Sequence, residues 1–178
     1  MSYCTIAPGH PLHGPYHDRE YGFPVPDERA LFERLVLEIN QAGLSWLTIL
    51  AKRANFRAAY GDFDVDTVAA YDGRDRARLL ADAGIVRNRL KVDAAIENAR
   101  RLVALRRTDG SFAAWLDAHH PLDKPAWVKL FKNTFTFTGG EITGEFLLST
   151  GYLPGAHDAD CPVYGKIARL KPPWLRAQ

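Results

Sequence analysis

A mainly α-helical fold is predicted by three observations. Apolar residues recur at helical spacing through most of the 178 positions, polar capping residues stand where those runs begin, and one short stretch alone alternates like a strand. After Pro24-Val25-Pro26, Asp27 caps a first helix whose Leu31, Phe32, Leu35, Val36 and Ile39 share a face. Gly43-Leu44 interrupts it, and Ser45 caps a second helix carrying Trp46, Ile49, Leu50, Phe56 and Tyr60. Gly61-Asp62 ends that one. A short helix is predicted near Val65–Tyr71 and another over Asp75–Ala83. Ala83-Gly84-Ile85-Val86-Arg87 then leads into a long helix from about Asn88 to Arg107, closed by Thr108-Asp109-Gly110. Ser111 caps a turn bearing Phe112, Trp115 and Leu116. Thr134-Phe135-Thr136-Phe137-Thr138 reads as a strand, and Gly139-Gly140 separates it from a last helix over Glu141–Thr150.

With 47% apolar residues, the chain is expected to form one domain over residues 1–178, with two helical lobes around a sizeable core. The formal net charge of +2 does not identify a polyanion partner. The distribution is more informative. Arg87, Arg89, Lys91, Arg100, Arg101, Arg106 and Arg107 face only Asp93 and Glu97 over the same span. That excess suits a phosphate backbone, and a solvated helix face is the alternative. No apolar run reaches membrane-spanning length, and residues 1–20 lack the apolar stretch of a signal peptide, so a soluble, cytoplasmic protein is expected.

Four residues near the two ends stand out. Cys4 and Cys161, the only cysteines, each have a histidine at ligand-like spacing, His17 and His157. His157 and Cys161 are four positions apart, which one helical turn would place on the same side. Cys4 and His17 bracket a Gly- and Pro-rich segment able to fold back. Thiolate and imidazole are zinc ligands, and such a site would pin the two ends together. Three alternatives stay open. Each residue could be ordinary core or surface, His10, His13, His119 or His120 could complete the set instead, or Cys4 and Cys161 could form a disulfide.

Other constellations carry possible chemistry. Glu38 lies at the border of the apolar arc of its helix, just before Gly43, Leu44 and Trp46. A carboxylate there can accept hydrogen bonds from a base edge or balance a cation, or be an ordinary helix-border glutamate. Leu80–Ile85 followed by Arg87, Arg89 and Lys91 reads as a helix-hairpin-helix, in which Gly84 would let backbone N–H groups approach a phosphate; plain helix connectors look alike. Tyr16, Tyr21 and Trp46 are rings of the kind that stack on unstacked bases, and also of the kind that fill cores.

Together these residues closely resemble the bacterial DNA-3-methyladenine glycosylase I family. The resemblance is carried by Cys4, Tyr16-His17-Asp18-x-Glu20, Leu31-Phe32-Glu33, Leu37-Glu38, Gln41-Ala42-Gly43-Leu44-Ser45-Trp46, Phe63-Asp64, Asp82-Ala83-Gly84-Ile85-x-Arg87, Glu97-Asn98-Ala99 and His157-x-x-x-Cys161. It implies a helix-hairpin-helix glycosylase fold with a zinc tether joining residues 1–20 to 155–165. By that resemblance Cys4, His17, His157 and Cys161 hold a structural Zn²⁺. Glu38 is the catalytic residue that reads the methylated base, Tyr16, Trp46, Tyr21 and Ile6 surround it, and Gly43 and Leu44 wedge into the duplex. Gly84, Arg87 and Lys91 would contact the backbone. The implied activity is monofunctional hydrolysis of the N-glycosidic bond of 3-methyladenine in double-stranded, alkylated DNA, by a monomer in the bacterial nucleoid. Ile6 and Tyr21 depart from the family, which has tryptophan at both places. The stretch from His119 to Thr138 is shorter than usual, Glu141 and Glu145 add negative charge, and the cysteine-rich finish is absent. These departures make a non-catalytic, zinc-stabilised DNA-binding relative the alternative reading. A metallohydrolase is a third, needing an open zinc position.

Overall fold

The computed structural model describes residues 2–176 and contains, among them, eleven α-helices, two short 3₁₀ turns and no strand. α1 (Tyr3–Ile6) and α2 (His13–Arg19) precede α3 (Glu28–Gln41), which runs through the centre of the molecule. Every residue of α3 from Leu31 to Asn40 is buried, because α4 (Trp46–Ala59), α5 (Val65–Ala69), α7 (Arg89–Asp109), α8 (Phe112–His119) and α10 (Gly140–Ser149) all pack on it. α6 (Gly73–Ala81) packs on α7, and α9 (Lys124–Thr134) on α10. α11 (Pro162–Arg169) is the last α-helix, and the second 3₁₀ turn (Pro173–Leu175) follows it.

The capping residues act as the sequence predicts. Asp27, Ser45 and Ser111 each accept a backbone N–H in the first turn of their helices, and two caps not named from the sequence do the same, Asn88 on α7 and Asp72, which forms a capping box with Asp75 on α6. Phe112, Phe131, Phe135 and Phe146 form an aromatic half of the core with Trp115 and Trp127.

Four sequence expectations are corrected. Residues 134–138 are not a strand. Thr134 ends α9, and the backbone of Thr136 finds its partners on the buried Asn98 side chain, donating its N–H (2.8 Å) and accepting from Nδ2 (3.1 Å). With those groups satisfied by α7, no neighbouring strand is needed. Second, the Gly- and Pro-rich segment after Cys4 contains a helix, α2, which carries His17. Third, His157 and Cys161 lie in a turn closed by the Cys161 N–H on the Asp158 carbonyl (2.9 Å), and helix begins only at Pro162. Fourth, α9 and α11 are helices that no sequence signal announced.

Candidate functional site: an aromatic pocket beside a Cys2His2 cluster

Glu38 is not at a helix border in the folded protein. It is 4% exposed, and its carboxyl lies at the wall of a cavity of about 290 Å³ lined by Tyr3, Tyr16, Tyr21, Glu38, Gln41, Trp46 and Glu145. α3 delivers Glu38 and Gln41, the first turn of α4 delivers Trp46, and α2 with the turn after it delivers Tyr16 and Tyr21. Tyr16 and Trp46 lie 5.1 Å apart between ring centroids, and Tyr16 and Tyr21 5.9 Å. Such a cavity sits at the small end of ligand pockets, which begin near roughly 300 Å³. Two of its polar atoms, Tyr16 Oη and Trp46 Nε1, are buried without a hydrogen-bond partner among the described residues. Buried donors of this kind await a ligand or water.

Burial pushes the Glu38 carboxyl well above its usual range, to about 8; the Arg34 charge opposes this and the Glu145 charge adds to it. Arg34 itself is committed elsewhere: it donates to the Ser149 carbonyl (3.1 Å) and to Glu20 (3.4 Å), and its guanidinium lies 4.8 Å from the Tyr16 ring centroid. At neutral pH, Glu38 is therefore a neutral acid with one O–H to donate and one carbonyl to accept. Burial also raises the Tyr16 hydroxyl, which stays protonated.

Of the other residues expected here, Ile6 is displaced. It is 49% exposed at the end of α1 and lines no part of the cavity, where Tyr3 stands instead. Tyr3, Gln41 and Glu145 were missed by sequence reasoning. Gln41 alone had an available signal, one helical turn after Glu38. Beside the pocket, a second depression is lined by Glu38, Gln41–Leu44, Gly139–Ile142 and Glu145. Gly43 (φ 79°) and Leu44, 42% exposed, stand at its edge on the turn between α3 and α4.

Lys91 is corrected too. It is buried, and its ammonium donates to the carbonyls of Asn40 (2.8 Å) and Ala42 (2.6 Å), capping the C-terminus of α3 rather than facing solvent. A cation there also offsets the negative end of the helix. Lys91→Met is expected to lower stability by about 2 kcal/mol, from two charge-assisted hydrogen bonds left unmade, readable as a fall in the denaturant midpoint. The hairpin between α6 and α7 brings Gly84 against α4, where an added Cβ would lie 3.1 Å from Asn55. Its N–H is taken by Asp82 Oδ1 at 2.7 Å, so Gly84 shapes the turn and that N–H does not face a ligand. Arg87 is exposed in the same hairpin.

About one ring away from the pocket, the residues from the two ends meet. The ligand atoms of Cys4, His17, His157 and Cys161 lie within 4.8 Å of one another. The Sγ–N separations are 3.5 Å (Cys4–His157 Nδ1), 3.6 Å (Cys161–His157 Nδ1) and 3.7 Å (Cys161–His17 Nε2). Tetrahedral zinc with Zn–S near 2.3 Å and Zn–N near 2.0–2.1 Å requires S–N edges of about 3.6 Å. The far ring nitrogens are also held: His157 Nε2 meets the Tyr21 carbonyl at 2.7 Å, and His17 Nδ1 meets Asp18 Oδ1 at 2.7 Å. Those bonds fix the tautomers that leave the inner nitrogens free to ligate, and the donor set fits the metal. Gly22 (φ 81°) is required for this approach, since a Cβ would fall 2.8 Å from Ala156 Cβ and 3.3 Å from His157 Cδ2. The two sulfurs are free thiols, so the disulfide alternative is not realised.

No helix among the described residues is long and apolar enough to cross a membrane. The methyladenine glycosylase family model matches residues 6–132, more than half of the chain. A DNA-3-methyladenine glycosylase 1 of Escherichia coli K12 is 43% identical over 122 residues, covering 67% of this chain and 65% of that relative, just under two thirds of its length. A DNA-3-methyladenine glycosylase of Haemophilus influenzae is 32% identical over 166 residues, covering 83% of this chain and 89% of that one. Among solved structures, the 3-methyladenine DNA glycosylase I of Staphylococcus aureus, described for its recognition of 3-methyladenine, superposes with a TM-score of 0.80 at 30% identity, over 90% of this chain and 95% of that one.

Proposed function

The chain belongs to the methyladenine glycosylase family, and on that premise we propose that it is a DNA repair enzyme that hydrolyses the N-glycosidic bond of 3-methyladenine in alkylated duplex DNA. One observation carries the reading to the residue level: a buried Glu38, neutral below about pH 8, lines a ring-walled cavity with Tyr16, Tyr21 and Trp46. A neutral carboxyl offers one donor and one acceptor side by side. That pair matches the exposed edge of an everted adenine, where N7 accepts and the exocyclic amino group donates. Tyr16, Trp46 and Tyr21 would hold the ring plane by stacking.

The chemistry asks little of the protein. Methylation at N3 leaves the purine cationic, so the C1′–N9 bond is already weakened. When it breaks, its electron pair goes to the base and cancels the charge. Water oxygen then bonds to C1′ and releases a proton to solvent. Glu38 binds and orients the leaving base, and no lysine in the pocket is available for a Schiff base. Extrusion costs a few kcal/mol, which Gly43 and Leu44 would offset by filling the gap in the stack, with Arg87 meeting phosphate nearby.

Cys4, His17, His157 and Cys161 would hold zinc. Four protein ligands leave no open position for water, so the metal supplies a structural tie between the ends of a single glycosylase domain and takes no part in hydrolysis. The protein acts as a monomer on double-stranded DNA in the cytoplasm. The test is release of free 3-methyladenine from alkylated duplex by the purified protein. Salt-dependent duplex binding with no base release would instead make it a non-catalytic relative.

A further inference from the structure

Two carboxyls, not one, face the base pocket. Besides Glu38 on α3, Glu145 on α10 lines both the ring-walled cavity and the adjoining depression. The Tyr21 hydroxyl donates to its Oε2 at 3.3 Å. The other nearby acids are already paired: Glu20 with Arg53 and Arg34, and Glu33 with Arg53 and Arg57. Lys124, the cation nearest on α9, has its ammonium 3.8 Å from Glu141. Glu145 forms no salt bridge among the described residues, although the Lys124 charge is near enough to act on it. It is a half-buried acid that shares the cavity wall with Tyr3, Tyr16 and Tyr21.

We propose that Glu145, oriented by the Tyr21 hydroxyl, is a specificity-determining residue that selects positively charged purines over neutral ones. This deepens the reading of the pocket as a base site and rests on it. The physical case is a division of labour. Glu38, kept neutral by burial, can match the hydrogen-bonding edge of a base without supplying charge. A cation removed from water needs a compensating negative group and electron-rich ring faces, and Glu145 with its flanking tyrosines provides both. Burial, the largest influence, and the Glu141 charge raise the Glu145 carboxyl, the Tyr21 hydrogen bond and the Lys124 charge oppose them, and a cation entering the cavity would draw the carboxyl further down. Tyrosine at 21 also gains a meaning. The tryptophan expected from the resemblance has no hydroxyl with which to hold this carboxylate.

The experiment is calorimetric titration of the intact protein at neutral pH with two probes. These are 3,9-dimethyladeninium, a permanent cation with the shape of the methylated nucleoside base, and neutral 3-methyladenine. Glu145→Gln is expected to weaken binding of the cation by about tenfold, while binding of the neutral base stays within about twofold, as one lost charge interaction in a partly exposed site implies. Tyr21→Phe is expected to weaken the cation by about threefold and to add nothing to Glu145→Gln, as expected for two residues acting as a unit. Unchanged thermal stability of both variants accompanies this result. Equal loss of both probes, or loss of neither, overturns the proposal, and additive costs overturn the orienting role of Tyr21. If the unsubstituted protein binds neither probe and releases no base, the base-site reading itself fails. Intact base release with no Glu145-dependent discrimination sinks only the present inference.

Discussion

Glu38→Ala is expected to lower single-turnover release of 3-methyladenine by at least about a hundredfold, the range lost when one preorganised polar contact to the reacting group is removed. Glu38→Gln keeps a carbonyl and an N–H on the same edge and is expected to lose less, about tenfold. The pH dependence separates the two roles. Because the Glu38 carboxyl is raised to about 8 mainly by burial, release by the unsubstituted protein should fall as pH rises through that value, and the Gln variant should lack this limb. Stability moves with a defined sign. Between the ordinary value of 4.5 and about 8, the folded protein keeps a proton that the unfolded chain has given up. Folding stability is thus fully present below the lower value and declines on the way to the upper one, by at most about 1.4 kcal/mol per pH unit. Denaturant titrations of Glu38→Gln from acid to alkaline pH should show that slope flattened. Parallel slopes for the two proteins would remove Glu38 from the account.

Loss of the metal is expected to be the larger structural lesion. Only short elements carry the four ligands: α1, α2 and the turn at 157–161. The apolar cluster beneath them is small, built on Cys161, Val163 and Ile167. Without an ion, two buried histidines and two thiols face one another with little packing to hold them. Cys161→Ser or exhaustive chelation should therefore cost at least about 3 kcal/mol of stability, modest against the ~10–16 kcal/mol of structural zinc sites because α3 and its neighbours hold a core of their own. Elemental analysis should give one zinc per chain, and chelation should lower the melting temperature as well as turnover. Turnover lost with melting unchanged would favour an open catalytic metal and the hydrolase alternative.

The helices that sequence revealed have a periodic apolar face, a polar cap or both. Asp27 with Leu31–Ile39 and Ser45 with Trp46–Phe56 matched α3 and α4, and the helices predicted over 65–71, 75–83, 88–107 and 141–150 matched α5, α6, α7 and α10 within a few residues. α9 and α11 were hidden because both begin beside proline, which reads as a breaker until its place in the first turn is seen. The strand error at 134–138 came from alternating Thr and Phe, whose backbone is satisfied by a side chain far away in sequence, Asn98. Within the site, Tyr16, Trp46 and Glu38 were legible through their clustering and the family resemblance. Tyr3 and Glu145 were not, because the pocket wall is closed by chain segments that meet only after folding. Lys91 misled for a related reason: nothing local in a basic run tells which lysine turns inward.

Tyr21 joins two things that are usually separate. Its carbonyl braces a histidine of the cysteine–histidine cluster, while its phenol ring forms a face of the base cavity, and His17 directly follows Tyr16 in the same way. A metal held by that cluster would thereby brace the cavity as well: in its absence the central helices would persist while the niche beside them slackened.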